Sequence, residues 1–206
     1  MDPRRVAGRL RDDVRSKLGI WEEPMRRVSL RGKLLHPYWK RRFHTFGKGS
    51  ILHRPDWVYG PHQISIGTGV LALHGLWLSV ERPAWDLPAP VLRIGDFVGL
   101  RPYVTISVAE SVEIEDSVVI SSFSSIIDSD HVHGRTHPNI VYGGTLKTAP
   151  IRIGEGTWVG ERVAILRGSN IGRFCTIGTN SVVRGDIPDY SVAVGAPARV
   201  VGSTKV

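Results

Sequence analysis

The sequence predicts an all-β protein, a parallel β-helix built from hexapeptide repeats, with a short N-terminal helical region. Over residues 153–183 one aliphatic residue returns at every sixth position. An α-helix repeats every 3.6 residues and an ordinary strand every 2, so neither explains this period alone. A period of six fits a chain that turns a corner after each short strand and directs one side chain inward per segment. The repeated residues are Ile153, Val159, Ile165, Ile171, Ile177 and Val183.

Three such segments make a triangular coil of about 18 residues. The β-branched residue of each segment would pack on its equivalents in the neighbouring coils. Glycine, asparagine and aspartate accommodate the positive φ angles that tight corners need. We therefore predict corners at Gly156, Gly168, Asn170, Gly185 and Asp186.

Two helices are expected before the strands. Apolar residues recur every four positions over residues 3–18, which predicts an amphipathic helix that ends near Gly19. These residues are Val6, Leu10, Val14 and Leu18. Residues 21–50 are rich in Arg, Trp, Tyr and Pro, and we interpret them as a second short helix and a loop.

We expect two parts in the chain. Residues 1–60 would form a basic helical and loop cap over the open end of the β-helix, where unpaired strands would otherwise be exposed. Residues 61–202 would form the β-helix domain, with an extended loop at 129–150.

The six-residue frame is interrupted three times between residues 66 and 153. Residues 81–90 contain three prolines and predict a loop. The frame then slips by two near residues 107–113, which indicates a bulge or a longer corner. Residues 129–150 leave the frame altogether, and a long loop in a regular repeat is more often functional than incidental. The frame residues of this part are Ile66, Ala72, Leu78, Ile94, Leu100, Ile106, Ile114, Ile120 and Ile126.

The positive charge lies at the N-terminus. The net charge is +8, and residues 1–50 contain 14 Lys and Arg against 5 Asp and Glu, while the remainder contains 13 against 14. A basic arm suits an anionic surface, although a solvated helix face is the simpler interpretation. No nucleic-acid-binding motif accompanies the charge. We therefore expect no nucleic-acid partner, and a peripheral membrane contact stays open.

The cellular setting is predicted from the membrane spans, signal peptide and cysteine pairs that the sequence does not show. No apolar run reaches the roughly 20 residues of a membrane span, and no signal peptide is recognisable. The single cysteine, Cys175, excludes an internal disulfide. We therefore predict a reduced, cytoplasmic setting.

Two segments resemble the hexapeptide acyltransferases, in particular the maltose/galactoside and xenobiotic acetyltransferases. They are IRIGEGTWVG from Ile151 and DIPDYSVAVGAPARVVG from Asp186. The resemblance implies a left-handed β-helix, an exception to the usual right-handed crossover. It also implies a homotrimer with sites between subunits, acetyl-CoA as the acyl donor and a sugar or glycan hydroxyl as the acceptor. No metal is expected.

The resemblance also assigns site residues. The family's catalytic histidine corresponds to His131, and the family's motif tryptophan corresponds to Trp158. The family's sugar-binding positions fall near Arg101 and Ala109, which do not match, so the acceptor stays open. The CoA-contacting positions correspond to Trp158, Gly160, Glu161, Gly178, Thr179, Arg184 and Arg199.

Histidine suits the chemistry of acetyl transfer to an alcohol because its pKa lies near neutrality. His131 is the candidate general base, and His133 could orient the acceptor or replace it. Asp130 or Asp128 could fix the imidazole tautomer. Cys175 is rejected as a nucleophile because no histidine is near it in sequence.

Two alternatives belong to other classes. His131, His133 and His137 raise a zinc site like that of γ-class carbonic anhydrases. Those enzymes take their ligands from separate coils, and no histidine follows His137 in the sequence. The other alternative is a non-catalytic trimeric scaffold that binds glycan.

Overall fold

The described residues of the computed structural model, 24–131 and 146–205, form a left-handed parallel β-helix above one α-helix. Three parallel sheets, A, B and C, form the faces of a triangular prism. The predicted all-β fold class is confirmed. The predicted helix over residues 3–18 lies outside the described residues.

The first four coils precede the long excursion of the chain. Each coil contributes one strand to each sheet, in the order A, B, C. The strands are β1 (Thr45–Phe46), β2 (Ile51–Leu52), β3 (Trp57–Tyr59), β4 (Ile64–Ile66), β5 (Leu71–Ala72), β6 (Trp77–Val80), β7 (Leu92–Ile94), β8 (Gly99–Leu100), β9 (Thr105–Val108), β10 (Val112–Ile114), β11 (Val119–Ile120) and β12 (Ser125–Ile127).

A short antiparallel pair then leaves the prism, and three further coils follow it. The last two strands are antiparallel to each other and close the stack. The strands are β13 (Ser129–His131), β14 (Leu146–Thr148), β15 (Ile151–Ile153), β16 (Trp158–Val159), β17 (Ala164–Leu166), β18 (Asn170–Ile171), β19 (Thr176–Ile177), β20 (Val182–Val183), β21 (Asp186–Ile187), β22 (Ser191–Gly195) and β23 (Ala198–Ser203).

The core is a set of stacked columns, as the six-residue period predicts. In sheet A, the residues Ile94, Ile114 and Ile153 are register partners in successive coils, although 39 positions separate the last two in sequence. Sheets B and C stack their inward residues in the same way. All three of these isoleucines are buried. The column continues across the excursion because the pairing of β10 with β15 preserves the register.

The base of the prism differs from the prediction in two ways. The first coil begins at Thr45, inside the stretch predicted as the cap. The helix α1 spans Pro24–Arg42 (19 residues), so it is longer than the short helix that was predicted within residues 21–50. Gly32 allows α1 to approach β2, because a Cβ at Gly32 would lie 2.5 Å from Cγ1 of Ile51. Trp39 of α1 and Phe43, directly after the helix, pack edge-to-face and lie over the first coil.

Two of the three corners of a coil are regular. In coils one to six, the corners from sheet A to B and from sheet B to C contain four residues each. Each of them includes one residue with a left-handed φ, as at Gly156 (65°). Gly168 and Gly185 also have positive φ, but Asn170 and Asp186 lie in strands, so corners were wrongly predicted for these two. Their side chains point outward from sheet A and are exposed, so these polar residues are accommodated in a strand.

The third corner, from sheet C back to sheet A, varies in length. It contains two residues at 184–185 and extends to the whole excursion 128–150. The predicted loop at 81–90 is one of these corners and contains a 3-10 helix at Arg82–Asp86. The slip predicted near residues 107–113 is another example of this third corner, which here contains residues 109–111. Both interruptions of the frame are confirmed.

Aromatic residues occupy several left-handed corner positions. Phe97, Tyr103, Phe123 and Phe174 have φ between 54° and 62°. The rings of Tyr103 and Phe123 stack with centroids 5.1 Å apart. Stacking between coils helps to offset a backbone conformation that bulky residues rarely adopt.

Candidate active site

The excursion begins where β12 continues past Asp128 into β13. β13 pairs with β14 in an antiparallel register that places His131 opposite Leu146. His133 and His137 lie outside the described residues. His131 is therefore the one candidate histidine of the excursion whose surroundings the described part of the chain shows.

Asp128 holds the base of the excursion. Its carboxylate accepts hydrogen bonds from the backbone N–H groups of Ala109, Glu110 and Ser111 at 2.7, 2.8 and 2.9 Å. Its carbonyl accepts the N–H of Ala149, where the chain returns. Burial raises the pKa of the Asp128 carboxyl, and the three N–H donors oppose that rise. The carboxylate of Asp128 therefore closes the corner at 109–111, and a role of Asp128 in fixing the imidazole tautomer stays a prediction.

Asp130 ties the same hairpin to the following coil. Its carboxylate forms an ion pair with Nε of Arg167 at 2.5 Å. Arg167 belongs to the third corner after β17, one coil above Asp128. The base of the hairpin is therefore held from the coil below through Asp128 and from the coil above through Arg167.

His131 lines an open cleft of about 680 Å³ at the third-corner edge of sheet C. The imidazole is exposed, so it is accessible to a ligand. Glu81 lies in the cleft and accepts hydrogen bonds from the hydroxyls of Ser79 at 2.8 Å and Ser107 at 3.5 Å. An imidazole and a carboxylate in one cleft can accept a proton and orient a hydroxyl.

Sequence reasoning missed Glu81 and Ser107. Glu81 precedes the proline-rich corner at 82–90, and its residue type alone does not distinguish it from a solvated charge. Only the register of sheet C, in which Ser79 pairs with Ser107, brings these residues together. The available signal was the position of Glu81 directly after a strand of the frame.

Five of the predicted CoA-binding residues form one stripe in coils five and six. The stripe follows the corner from sheet B to sheet C, and Trp158 lies in the strand of sheet B before that corner. Trp158 is 52% exposed on the outer face of sheet B, and its indole N–H donates to Ser121 Oγ at 3.2 Å. Trp158 stacks in register below Thr176. We call the following set the donor stripe: Trp158, Gly160, Glu161, Gly178 and Thr179.

The two glycines of the donor stripe allow close packing between coils. A Cβ at Gly160 would lie 2.8 Å from the backbone N of Thr179, and one at Gly178 would lie 2.7 Å from Cγ1 of Val194. Larger residues at either position would push the coils apart.

The two predicted arginines lie in different places. Arg199 of β23 pairs with Val194, directly above Gly178, so it extends the donor stripe upward. Arg184 lies in the third corner after β20, at the opposite edge of sheet C. Both side chains are exposed.

The donor stripe and the His131 cleft also lie at opposite edges of sheet C. The stripe occupies the corner at which strands of sheet C begin, and the cleft occupies the edge at which they end. The described part of one chain therefore does not bring Trp158 and His131 into one cleft.

No group of three His, Cys, Asp or Glu residues within 24–131 and 146–205 is placed to hold a metal ion. Over the same ranges, no helix is long and apolar enough to cross a bilayer. Cys175 is buried, and burial raises the pKa of its thiol.

No family model matches the chain. The chain is 47% identical over 174 residues to Rv3034c of Mycobacterium tuberculosis, a protein named as an acetyltransferase, with 84% of this chain and 54% of that protein covered. It is 37% identical over 119 residues to WbbJ of Escherichia coli, named as an O-acetyltransferase of lipopolysaccharide biosynthesis, with 54% and 60% covered. By sequence and by its hexapeptide coils, the chain is similar to the hexapeptide-repeat acetyltransferases.

The chain spans little more than half the length of these two relatives. A solved structure supports its fold. The structure is a point mutant of AntD, an N-acyltransferase from Bacillus cereus, in complex with dTDP and coenzyme A. It superposes with a TM-score of 0.70 at 22% identity and covers 82% of this chain and 88% of that chain.

Proposed function

We propose that the protein transfers an acyl group, with acetyl-CoA as the donor, to a hydroxyl of a sugar or glycan. The observation that carries the proposal is the accessible His131 in a polar cleft, held from two sides at the excursion. The names of the relatives supply the reaction class. A hydroxyl acceptor is preferred to an amine because the relative named for O-acetylation is 37% identical, whereas the N-acyltransferase is 22% identical.

In the proposed reaction, His131 accepts the proton of the acceptor hydroxyl while that oxygen attacks the thioester carbonyl carbon. Backbone N–H groups would stabilise the tetrahedral oxyanion. The intermediate then collapses, the C–S bond breaks, and the proton passes from the imidazolium to the leaving CoA thiolate. Glu81 would orient the acceptor hydroxyl, and Asp130 and His133 keep the supporting roles that the sequence predicts for them.

The donor would lie along the donor stripe, with Trp158 as an apolar wall for the pantetheine arm. Arg199, and Arg184 of the same or a neighbouring copy, could bind the CoA phosphates because arginine pairs with phosphate bidentately. Since the stripe and the cleft lie at opposite edges of sheet C, one copy would supply the stripe and its neighbour His131. A homotrimer, as the family resemblance implies, would provide three such sites.

The cellular setting follows from the same proposal. A cytoplasmic enzyme would have access to acetyl-CoA. The last turn of α1 contains Lys40, Arg41 and Arg42, and Leu34 on the same helix is exposed. A basic and apolar helix surface of this kind suits a peripheral contact with an anionic membrane, where lipid-linked glycans would be presented.

A screen of acyl-CoA donors against sugar acceptors, read by thiol release, tests the proposal. We expect release with acetyl-CoA that depends on a hydroxyl-bearing sugar and that yields an alkali-labile ester. Release only with amino sugars, as an alkali-stable amide, would show N-acylation instead. Stoichiometric zinc in the purified protein, without thiol release, would favour the carbonic-anhydrase alternative.

A further inference from the structure

Four aromatic side chains form a continuous surface on the first two strands of sheet C and the corner after β6. Trp57 and Trp77 are register partners on the outer face of sheet C, 46% and 42% exposed. Their rings stack with centroids 5.2 Å apart at 17°. Tyr59 stacks beside Trp57 at 6.3 Å, and Trp85 lies 5.2 Å from Tyr59. We call Trp57, Tyr59, Trp77 and Trp85 the aromatic platform.

The ring faces of Trp57 and Trp77 are partly open. A centroid separation of 5.2 Å is larger than face-to-face contact requires, so the two indoles are offset and each leaves part of a face uncovered. The indole N–H of Trp85 donates to the carbonyl of Val80 at 2.9 Å, which fixes that ring at the edge of β6. The platform is therefore held in place by the fold.

The outer row of sheet C changes in size above the platform. Trp77 pairs in register with Thr105, Thr105 with Ser125, and Ser125 with Ala164. Small side chains thus follow the two indoles along the row. These small side chains leave a shallow surface next to the open face of Trp77. That surface lies on the side of Trp77 toward the coils that form the cleft.

The platform is continuous with the cleft along β6. Trp77 and Ser79 lie on the same outer face of this strand, about 7 Å apart at 3.3 Å per residue. The Ser79 hydroxyl donates to Glu81, which lines the cleft together with His131. A ligand one or two sugar rings long would span this distance.

We propose that the aromatic platform binds the sugar rings of an extended glycan acceptor whose reacting hydroxyl lies at His131. Sugar rings present apolar C–H faces that stack on aromatic rings, and their hydroxyls need nearby polar groups such as Glu81. The inference rests on the proposed function, since it assigns the acceptor to the same cleft. It makes the substrate an oligosaccharide rather than a single sugar.

The test compares long and short acceptors. The variant is Trp57→Ala/Trp77→Ala, and the matched control is Phe97→Ala, which removes an aromatic ring 66% exposed at a regular corner. The probes are hexasaccharides of glucose, mannose and galactose, each beside its methyl monoglycoside. Thiol release gives kcat/KM, and tryptophan fluorescence reports hexasaccharide binding in the wild type and Phe97→Ala.

We expect the wild type to prefer the hexasaccharide in at least one series. The double variant should lose about tenfold in kcat/KM for that hexasaccharide, while the values for the monoglycoside and for acetyl-CoA stay within about threefold. Phe97→Ala should keep the preference. Light scattering should show the same oligomer for all three proteins.

Other outcomes overturn the inference or separate it from the proposed function. Equal losses for long and short acceptors, or a changed oligomer, would show that the platform supports the fold or an interface between copies. Transfer to monoglycosides with no gain for any hexasaccharide would overturn the platform and leave the proposed function standing. Hexasaccharide binding that direct calorimetry shows to depend on Trp57 and Trp77, without any thiol release, would support the platform while the proposed function fails.

Discussion

The regular corners and the third corner of this β-helix follow different rules. In coils one to six, the regular corners have constant length and each contains a left-handed residue, whether that residue is Gly156, Phe123 or Arg162. The third corner ranges from two residues to the whole excursion 128–150. The cleft with His131 and Glu81 lies at the third-corner edge, and the donor stripe follows a regular corner.

The contrast has a physical cause. A regular corner stacks on the corner above and below it, so a length change in one coil would disturb the register of both neighbours. The third corner projects from the edge of sheet C and can grow without shifting the columns, because Ile114 still pairs with Ile153 across the excursion. Constant corners therefore carry the scaffold, and the variable corner can carry a reactive group.

The largest expected effect is at the third corner. His131→Ala should lower kcat by roughly 10²–10⁴ because the general base is lost. Steady-state thiol release measures the change, and equilibrium dialysis of CoA should show unchanged donor binding.

The matched control is His74→Ala at a regular corner, where the imidazole is exposed and contacts Tyr103. Turnover of this variant should stay within about twofold of the wild type. If both histidine variants retained full activity, the assignment of His131 as the base would be wrong.

The next largest effect is expected in the scaffold, at the inward column of sheet B. Ile120 is fully buried in the sheet B column between Leu100 and Val159. Ile120→Ala should lower the free energy of unfolding by about 2–5 kcal/mol, since it leaves a cavity in a packed column. Denaturant titration measures the loss.

Val119→Ala is the control, because Val119 is the neighbouring half-buried residue on the outer face of the same strand. Its loss should be clearly smaller. Equal losses at both positions would mean that the inward column does not dominate the stability of the coils.

The smallest of the three effects concerns the join between scaffold and excursion. Asp128→Ala leaves three backbone N–H groups at residues 109–111 without their acceptor, which should cost about 1–3 kcal/mol of stability. It should also lower turnover, because the base of the hairpin is released. Denaturant titration and thiol release measure the two effects.

Asp116→Ala provides the comparison at a regular corner, where the exposed carboxylate accepts one N–H, that of Asp96 at 2.7 Å. This variant should lose less than Asp128→Ala and keep its turnover. A larger loss at Asp116 would contradict the view that Asp128 anchors the excursion.

The site could be predicted only in part. The sequence singles out His131 because a family motif marks it and because the excursion breaks a regular frame, and its role as the base stays a prediction. The residues of the donor stripe are predicted in the same way. Glu81 and the aromatic platform were missed, since Trp57 and Trp77 are 20 residues apart and become neighbours only through strand pairing.

Local rules also misjudged some corners. Asn170 and Asp186 have the composition of turn residues but lie paired in strands, whereas Phe97 and Phe174 occupy left-handed corners. Contacts between coils decide these positions, because a ring that stacks on the next corner can offset the strain of its own backbone.

The sequence by itself determined the six-residue period, the inward aliphatic columns and the place where the chain departs from them. Those features are local, since each depends on spacing along one segment. The tertiary structure decided which coils pair across the excursion, that Asp128 faces the corner at 109–111, and that Trp57 and Trp77 stack on each other. Each of these depends on register between strands, which is set by the packing of the whole column.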